Sequence, residues 1–405
     1  MQKKGHVCVI GAGIIGATTA YALSKDGWSV TVIDSESAAG MGASYANGAQ
    51  LSYSYVEPLA SPNTFRKIPL WLLSRDSPIR WQPQFSLRHI KWLMQFIAHC
   101  NANQVQSTTK QLLEISFLTK NGLHGWLTDL GISEHDVLLE KTGKLVIYRN
   151  QHELAAVRRQ MELQQSFGCQ QKIRTTAQCI EVEPSLVSIE RDIAFGVYTP
   201  SEEAIDCHKL CQLILKNSDV EEMYDARLMH FNVKGNRIAS IMTSTGEITA
   251  DQFVVAAGNE TNAVLQQLNQ ELLIEPIKGY SVSFPIVNRD RAPNGSITDQ
   301  NRKVVFARIG NTLRVAGFAE IRGNNLTIDQ NRIASLVADT QRVFPGAVDP
   351  SQYTPWAGLR PCSPSGIPYI QRIGFKNAWV NAGHGSLGLT LSVGSAVLLA
   401  KKMNA

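Results

Sequence analysis

Three glycines near the start of the chain constrain the fold more than any other feature. Gly11, Gly13 and Gly16 have G-x-G-x-x-G spacing between an apolar run at residues 7–10 and a helix-favouring stretch at residues 17–25. In this arrangement the first glycine permits a tight turn, the second lets the backbone approach a pyrophosphate, and the third lets helix and strand pack closely. The helix N-terminus then offers free N–H groups to the phosphates. The pattern predicts a βαβ unit that binds an adenine dinucleotide.

An acidic residue completes this unit. A second apolar run at residues 30–33 ends at Asp34, about twenty residues beyond the glycine turn. A carboxylate at that position accepts hydrogen bonds from a ribose diol and disfavours a 2′-phosphate. The sequence therefore favours FAD or NAD over NADP, and the pattern itself leaves the choice between FAD and NAD open.

Composition sets broad limits on the class of protein. A chain of 405 residues with 18% charged and 44% hydrophobic residues is typical of a soluble globular protein, and its length predicts two domains. The net charge of +5 is spread without a long basic run, so it gives no argument for nucleic acid binding. The seven cysteines show neither a C-x-x-C pair nor zinc spacing. We expect a reducing, cytoplasmic compartment and no metal site.

We expect no membrane-spanning segment. The first residues imitate the start of a signal peptide, but their short apolar run breaks into the glycine turn. Residues 378–400 lack Lys, Arg, Asp and Glu and are long enough to cross a bilayer. They also contain Asn381, His384 and several glycines, so a strand, a loop and a helix that close on a cofactor explain them better.

Strand and helix patterns predict an α/β fold. Apolar strands suited to a parallel sheet occur at residues 7–10, 253–258 and 379–381, at the beginning, middle and end of the chain. Alternating segments within residues 276–320 predict an antiparallel sheet, and residues 227–250 predict a small β-meander. We therefore expect a discontinuous Rossmann-like cofactor-binding domain with an inserted α+β substrate domain built on an antiparallel sheet.

The other segments complete this organisation. Apolar spacing predicts helices within residues 65–130, 151–167, 207–215 and 332–344, and residues 144–148 predict a strand. The cofactor-binding domain is expected to comprise residues 1–62, 150–190, 203–260 and 355–405. The substrate domain is expected to comprise residues 63–149, 191–202 and 261–354.

Five segments together resemble a known family. They are the opening glycine pattern and the motifs GASYANGAQ at 42–50, PIKGY at 276–280, WAGLRP at 356–361 and NAGHGSLG at 381–388. The glycine pattern is common to many flavoproteins, whereas the other motifs in this order are more specific. Over nearly its whole length the chain resembles the FAD-dependent D-amino acid oxidase superfamily, with the bacterial D-amino acid dehydrogenases nearest and glycine and sarcosine oxidases as relatives.

The resemblance implies non-covalently bound FAD and oxidation of an amine next to a carboxylate. By matching position, Arg360 binds the substrate carboxylate, and Tyr55, Tyr280 and His384 are further candidates for the catalytic site. Leu228 contacts the adenine through its backbone. Cys362 is interpreted as an unlinked thiol, because sarcosine oxidases place their linking cysteine elsewhere in this segment. The implied cofactor contacts are Gly11, Gly13, Ile14, Ile15, Gly16, Asp34, Ser35, Gly42, Ala43, Ser44, Asn47, Gly48, Ala49, Gln50, Leu51, Leu228, Ala257, Gly258, Gly358, Gly383, His384, Gly385, Ser386, Leu387, Gly388 and Thr390.

The implied reaction is oxidative deamination of D-amino acids to 2-oxo acids and ammonia, with electrons passing to a quinone or another acceptor. One departure concerns the relatives with glycine oxidase activity, which carry a tyrosine in the strand near Val304, where this chain has none. An oxidase or dehydrogenase of glycine, sarcosine, proline or hydroxyproline is the first alternative. A non-catalytic flavoprotein subunit and a tRNA-modifying flavin domain are further alternatives. Substrate handedness, side-chain preference, the electron acceptor and the oligomeric state stay open.

The chemistry of arginine supports the same interpretation, in which Arg360 binds the substrate carboxylate. A flavin carries the electrons in amine oxidation, so the protein has to bind and orient the substrate. The planar guanidinium presents two parallel N–H donors to a carboxylate and fixes its orientation as well as its charge.

An aromatic and basic stretch at residues 71–99 raises the question of a membrane surface. It interleaves Trp92 and Phe96 with Arg88 and Lys91. One interpretation of such a stretch is peripheral contact with an anionic inner-membrane surface, which would suit transfer of electrons to a quinone. The alternative, which we favour, is a helix pair of the substrate domain with solvated basic edges.

Overall fold

The computed structural model describes residues 4–56, 60–61, 79–82 and 86–405. Its helices are α1 (Ile14–Lys25), α2 (Leu87–His99), α3 (Ala102–Asp129), α4 (Leu154–Gln165), α5 (Thr176–Val182), α6 (Cys207–Lys216), α7 (Thr261–Gln266), α8 (Gln330–Val343) and α9 (Gly388–Met403). Its strands are β1 (His6–Ile10), β2 (Ser29–Ile33), β3 (Gln50–Leu51), β4 (Ile79–Trp81), β5 (Lys144–Tyr148), β6 (Lys172–Arg174), β7 (Phe195–Thr199), β8 (Glu203–Ala204), β9 (Val220–Met223), β10 (Leu228–Lys234), β11 (Arg237–Thr243), β12 (Gly246–Thr249), β13 (Gln252–Val255), β14 (Glu275–Pro285), β15 (Ser296–Asp299), β16 (Val304–Ile309), β17 (Thr312–Ile321), β18 (Thr354–Cys362), β19 (Tyr369–Arg372) and β20 (Ala378–Ala382).

The first sheet joins distant parts of the chain. Its six strands have the order β19-β20-β13-β1-β2-β9. All neighbours pair in parallel except β19, which runs antiparallel to β20. Strands that are buried on both faces suit such a central position, and β13 is the apolar strand that the sequence predicts there. The predicted discontinuous Rossmann-like unit is confirmed.

Two layers cover this sheet. Helices α1, α6 and α9 pack on one face and share a core with α3. The antiparallel β-meander β10-β11-β12 packs on the other face, where Ile238 and Ile241 meet Phe253 and Val255. The buried Asn377 side chain joins these layers, because it donates to the Ile238 carbonyl and accepts from the Ile238 N–H, each at 2.9 Å.

The second sheet is mostly antiparallel. It has nine strands in the order β18-β14-β17-β16-β15-β5-β7-β6, with β4 added in parallel beside β17. One face packs on α8 through Ile333 and Leu336. The other face meets the chain segment that follows β2, so this sheet supplies one wall of the region between the two sheets.

Most predicted elements are confirmed, with two differences. Within the segment 65–130 expected to be helical, Ile79–Trp81 forms a short strand, because its backbone finds the edge of β17. Residues 65–78 and 83–85 of that segment lie outside the described residues. Lys172–Arg174, inside the segment 150–190 assigned to the cofactor domain, pairs with β7 in the nine-stranded sheet. The domain boundaries themselves stay a prediction.

In the part of the chain that the structure describes, no helix combines the length and apolar character needed to cross a bilayer.

Candidate active site

The glycine turn after β1 has the geometry that the sequence predicts. Gly11 has φ of +110°, and a side chain there would press on the carbonyl of Ala256. A Cβ at Gly16 would overlap the Gly11 carbonyl oxygen, so this glycine lets α1 lie close to β1. A Cβ at Gly13 would meet only the Ser44 hydroxyl, at 3.6 Å. The surface of the turn at Gly13 is therefore the one open to a ligand.

The N-terminus of α1 is arranged for an anion. The helix has no acidic residue in its first turn, and no side chain caps it at Gly13. The Ile14 N–H donates to the buried Ser44 hydroxyl at 3.0 Å, while Ile15 and Gly16 also lie in the first turn, where N–H groups have no carbonyl one turn earlier. Because such N–H groups and the helix dipole favour negative charge, this terminus fits a pyrophosphate.

Asp34 lies at the carboxyl end of β2, beside the same turn. Its carboxylate accepts from the Ala12 N–H at 2.6 Å and from the Glu36 N–H at 3.0 Å. The Ala226 N–H donates to the Asp34 carbonyl at 2.8 Å, which brings the start of β10 at Leu228 to this edge of the sheet. The structure thus brings together Asp34 and Leu228, the residues expected to contact the ribose and the adenine. Ser35 is exposed next to them.

The segment expected to line the flavin lies across the nine-stranded sheet. Ser281 of β14 donates to the Ala46 carbonyl at 2.7 Å, and Arg314 of β17 donates to the Asn47 carbonyl at 3.1 Å. Gly48 lies against Val305 and Ala316, and Gln50 and Leu51 pair with β8. Gly42 and Ala43 are exposed before the buried Ser44. Ala49 has φ of +56°, which turns the backbone between these contacts.

The loop between β20 and α9 reaches the same region from the other side. The backbone of His384 forms an isolated antiparallel bridge to Cys362 at the end of β18. In the first turn of α9, the Thr390 hydroxyl accepts from the Ser52 N–H at 3.0 Å. The glycine-rich loop and the segment that follows β2 are therefore joined, as a shared flavin site requires. The residues of this loop and of α9 that the resemblance assigns to the flavin site are Gly383, His384, Gly385, Ser386, Leu387, Gly388 and Thr390.

Arg360 lies on the face of the sheet that meets this segment. Its guanidinium packs over Gly279 of β14, where a Cβ would overlap it. Ser281, two residues along the same strand, shares this face and contacts Ala46. One guanidinium nitrogen donates to the Phe318 carbonyl at 2.9 Å, and no carboxylate of the described residues lies within 4.0 Å. Burial lowers the pKa of Arg360, since desolvation disfavours the charged form.

A half-buried guanidinium with no carboxylate partner among the described residues is unusual, because burying a charge without a partner is unfavourable. Phe318 satisfies one donor and leaves the other N–H groups of the fork for a ligand. The arrangement can bind a carboxylate through two parallel hydrogen bonds. Gly279 is the residue that sequence reasoning missed here, although it lies in the quoted PIKGY motif.

Tyr280 is not brought to Arg360. Neighbouring strand residues point to opposite faces, so Tyr280 lies on the α8 face while Gly279 lies under the guanidinium. The Tyr280 hydroxyl donates to the buried Glu320 carboxylate at 2.9 Å, and burial raises the pKa of this phenol. Its role in the catalytic site stays a prediction without a contact to support it.

Tyr55 is also distant from Arg360 within the sheet. It packs against β5, five strand spacings from β18, or about 24 Å at the usual spacing. Its hydroxyl donates to Gln300 at 3.0 Å, and the Lys144 ammonium lies 4.6 Å from the centre of its ring. The predicted substrate contact of Tyr55 stays a prediction.

His384 and Cys362 lie together at the end of β18. His384 is 3% exposed, and its Nε2 atom has no hydrogen-bond partner among the described residues. Burial lowers the pKa of His384 to about 3, so the ring is neutral at physiological pH. Burial raises the pKa of Cys362 to about 12, which disfavours the thiolate needed for covalent chemistry.

The residues present fit FAD. The uncapped start of α1 and the open surface at Gly13 fit the pyrophosphate, and Asp34 fits the ribose. The buried Nε2 atom of His384, which has no hydrogen-bond partner among the described residues, fits a polar edge of the flavin ring system. Ala257 and the adjoining Gly258, which follow β13, line the same glycine turn next to Gly11, and Gly358 lies beside Gly279 on the Arg360 face.

Comparisons with known proteins show the family of this chain. The family described as "DAO: FAD dependent oxidoreductase" matches residues 6–402. D-amino acid dehydrogenase 2 of Ralstonia nicotianae is 40% identical, over 98% of this chain and 95% of the relative. D-amino acid dehydrogenase 2 of Pseudomonas aeruginosa is 35% identical, over 98% and 94%.

Solved structures show the same fold. A glycine oxidase from Geobacillus kaustophilus has a TM-score of 0.76 at 18% identity, covering 99% of this chain and 94% of that one. An L-proline dehydrogenase from P. horikoshii has a TM-score of 0.74 at 17% identity, covering 100% and 94%. Since a single family spans almost all of its length, the chain belongs to the DAO family of FAD-dependent oxidoreductases, and FAD is its cofactor.

Proposed function

We propose that the protein oxidises D-amino acids to 2-oxo acids and ammonia and passes the electrons to an acceptor other than oxygen. The observation that carries the proposal is the half-buried Arg360 guanidinium, which lacks a carboxylate partner among the described residues and lies on the face of the sheet that meets the predicted flavin segment. Relatives named D-amino acid dehydrogenase, at 40% and 35% identity, support the choice of substrate class.

The residues of this chain account for binding and orientation. Arg360 clamps the α-carboxylate, which fixes the substrate in the space between the sheet and the segment held by Ser281 and Arg314. A bound FAD would supply the oxidising power by taking the Cα–H hydrogen and its electron pair as a hydride equivalent. Loss of that hydride equivalent and of one N–H proton to solvent would convert the amine to an imine, which water would hydrolyse to the 2-oxo acid and ammonia. His384 stays neutral and closes the pocket rather than acting as a cationic acid.

Anaerobic titration of the purified holoprotein tests this proposal. D- and L-isomers of several amino acids, together with glycine, sarcosine and proline, are added in turn while the flavin absorption is recorded. We expect D-isomers to bleach the flavin and L-isomers to leave it unchanged. Bleaching by L-isomers alone would contradict the assignment of handedness, and the absence of bleaching by every compound would contradict the enzymatic role.

An oxidase of glycine, sarcosine or a cyclic imino acid is the alternative that the fold also supports. The structures of a glycine oxidase and an L-proline dehydrogenase share this architecture. The strand β16 begins Val304-Val305-Phe306 and carries no tyrosine, whereas the resemblance places a tyrosine there in glycine oxidases. Oxygen consumption with equimolar peroxide during turnover of glycine would favour this alternative.

We propose further that α2 contacts an anionic membrane surface, as electron transfer to a quinone would require. Its inner face buries Trp92 and Phe96, while its outer face exposes four aliphatic side chains at helical spacing. They are Leu87, Ile90, Met94 and Ile97. An exposed apolar stripe beside a lysine, here Lys91, suits the interface of an anionic bilayer.

Vesicle flotation tests the membrane proposal. We expect the holoprotein to float with vesicles that contain anionic lipid and to stay behind with purely zwitterionic ones. The double variant Met94→Glu and Ile97→Glu should lose flotation, whereas Val187→Glu, an exposed apolar residue elsewhere on the surface, should retain it. Equal flotation of both variants would refute a contact through α2.

A further inference from the structure

Two opposite charges are buried beside the segment that lines the flavin site, and the mechanism above does not use them. Lys144 begins β5 and is 4% exposed, and Glu202 precedes β8 and is 0% exposed. Among the described residues, neither forms an ion pair within 4.0 Å. A buried charge without a close partner is unfavourable, so this arrangement calls for a function.

Lys144 contacts the segment directly after the predicted flavin contacts. Its ammonium donates to the Ser52 hydroxyl at 2.9 Å and lies 4.6 Å from the centre of the Tyr55 ring. The Ser52 N–H donates to Thr390, which the resemblance assigns to the flavin. Ser52 therefore follows one proposed flavin segment and is hydrogen-bonded to the other.

Glu202 contacts the chain further along. One carboxylate oxygen accepts from the Ser54 N–H at 2.7 Å, and the other has no hydrogen-bond partner among the described residues. Burial raises the pKa of Glu202, and the Lys144 charge opposes that shift. Burial lowers the pKa of Lys144, and Glu202 opposes this in turn. Glu202 also adjoins Glu203, which pairs with Leu51 of the predicted flavin segment, so both groups lie beside that segment.

The register of the sheet strengthens this placement. Arg314, Ala307, Ser296 and Lys144 are register partners on four adjacent strands and form one row on the cofactor face. Arg314 donates to Asn47 at one end of the flavin segment, and Lys144 donates to Ser52 at the other. Between them the Ser296 hydroxyl is buried and has no partner among the described residues. A polar ring edge bearing carbonyl groups would satisfy such a hydroxyl.

We propose that Lys144 is a positioning and electrostatic residue of the flavin site, whose charge favours the reduced cofactor and whose effect Glu202 moderates. The proposal rests on the proposed function only in that FAD is reduced there. A hydride equivalent brings two electrons and one proton, so the cofactor gains one negative charge. In a low-dielectric interior a nearby ammonium stabilises that charge, and a carboxylate opposes it.

Redox titration of the holoprotein at about pH 7 measures this effect without any substrate. We expect Lys144→Met to lower the preference for reduced over oxidised FAD at least tenfold, which shifts the midpoint potential by about 30 mV to more negative values. Lys144→Arg keeps the charge and should stay near the wild type. Glu202→Gln removes the opposing charge and should shift the potential in the positive direction.

Midpoint potentials that shift in opposite directions in Lys144→Met and Glu202→Gln distinguish an electrostatic effect from a nonspecific loss of structure. Lys141→Met is the matched control, because Lys141 is exposed on the same approach to β5 and pairs with Glu134. FAD content and the melting temperature of each variant show whether it is folded. Unchanged potentials in all variants, or shifts of the same sign for Lys144→Met and Glu202→Gln, would overturn the proposal. The expected potential shifts, combined with a wild-type flavin that no D-amino acid reduces, would instead contradict the proposed function alone.

Discussion

Arg360 is the residue on which substrate binding depends most directly. Removing one partner of a buried charge pair costs about 3–5 kcal/mol, or roughly a 10²- to 4 × 10³-fold effect. We expect Arg360→Ala to lower kcat/KM for D-amino acids by that factor while FAD stays bound. Arg360→Lys should recover part of the loss, because lysine supplies charge without a two-point fork. Steady-state kinetics with an artificial electron acceptor measures both variants.

A matched arginine controls for nonspecific loss of charge. Arg372 lies on β19 at the edge of the six-stranded sheet, is exposed and packs on Trp379, whereas Arg360 belongs to the nine-stranded sheet. Its alanine variant should keep kcat/KM within about twofold, as surface substitutions usually have small effects. A fully active Arg360→Ala variant would remove the main support for a carboxylate substrate.

His384 makes the protein sensitive to acid. Its pKa is about 3 in the folded chain and about 6.5 in model peptides, so the unfolded state binds the proton first. Stability is therefore fully present above about pH 6.5 and is lost as the pH falls toward 3, by up to about 1.4 kcal/mol per pH unit. Between pH 7 and pH 5 the apoprotein should lose about 2 kcal/mol more than His384→Asn does. Urea unfolding at both pH values gives the difference, and equal losses would show that His384 titrates normally.

At the scale of elements, α9 approaches α3 because of a glycine. A Cβ at Gly394 would overlap the Ile115 carbonyl oxygen, whereas a Cβ at Gly125, on the exposed side of α3, would meet nothing within 4 Å. We expect Gly394→Ala to destabilise the protein by about 1–3 kcal/mol through overpacking. Gly125→Ala should stabilise it by about 0.5–1 kcal/mol through helix propensity. Thermal unfolding of the two variants should therefore shift in opposite directions, and a shared direction would contradict the packing assigned to α9.

At the scale of the whole molecule, the cofactor site depends on both ends of the chain. The glycine turn comes from the first residues, while β20 and α9 come from the last and pack on β13, α1 and α3. We expect a chain that ends at residue 377 to retain no FAD, although its glycine pattern is intact. Removal of residue 405 alone should have no effect. Absorption spectra after gel filtration report bound FAD, and yellow protein from the shorter chain would contradict this dependence.

Binding of FAD should also stabilise the whole fold. A ligand that binds only the folded state at a hundred times its Kd adds about 2.7 kcal/mol. The residues predicted to contact FAD range from Gly11 to Thr390, so we expect cofactor release and loss of secondary structure to coincide during heating. Flavin fluorescence and circular dichroism recorded together would reveal a separate, earlier release if the site were local.

The parts of this protein that depend on local residue patterns could be predicted from its amino-acid sequence. The βαβ unit with Gly11, Gly13, Gly16 and Asp34 could be predicted because its turn, helix and strands lie within one short segment. The apolar strand β13 and the β-meander were predictable for the same reason, since side-chain periodicity is set by neighbouring residues. Family motifs then indicated FAD and Arg360.

The contacts between distant side chains could be identified only in the folded chain. Arg360 packs over Gly279, while Tyr280 beside it points to Glu320 on the other face, because strand pairing fixes the face of every residue at once. The sequence marks Lys144 only as a lysine in an otherwise apolar strand. Its hydrogen bond to Ser52 joins residues that are 92 positions apart. Such contacts follow from the register between distant segments, which no local pattern of residues contains.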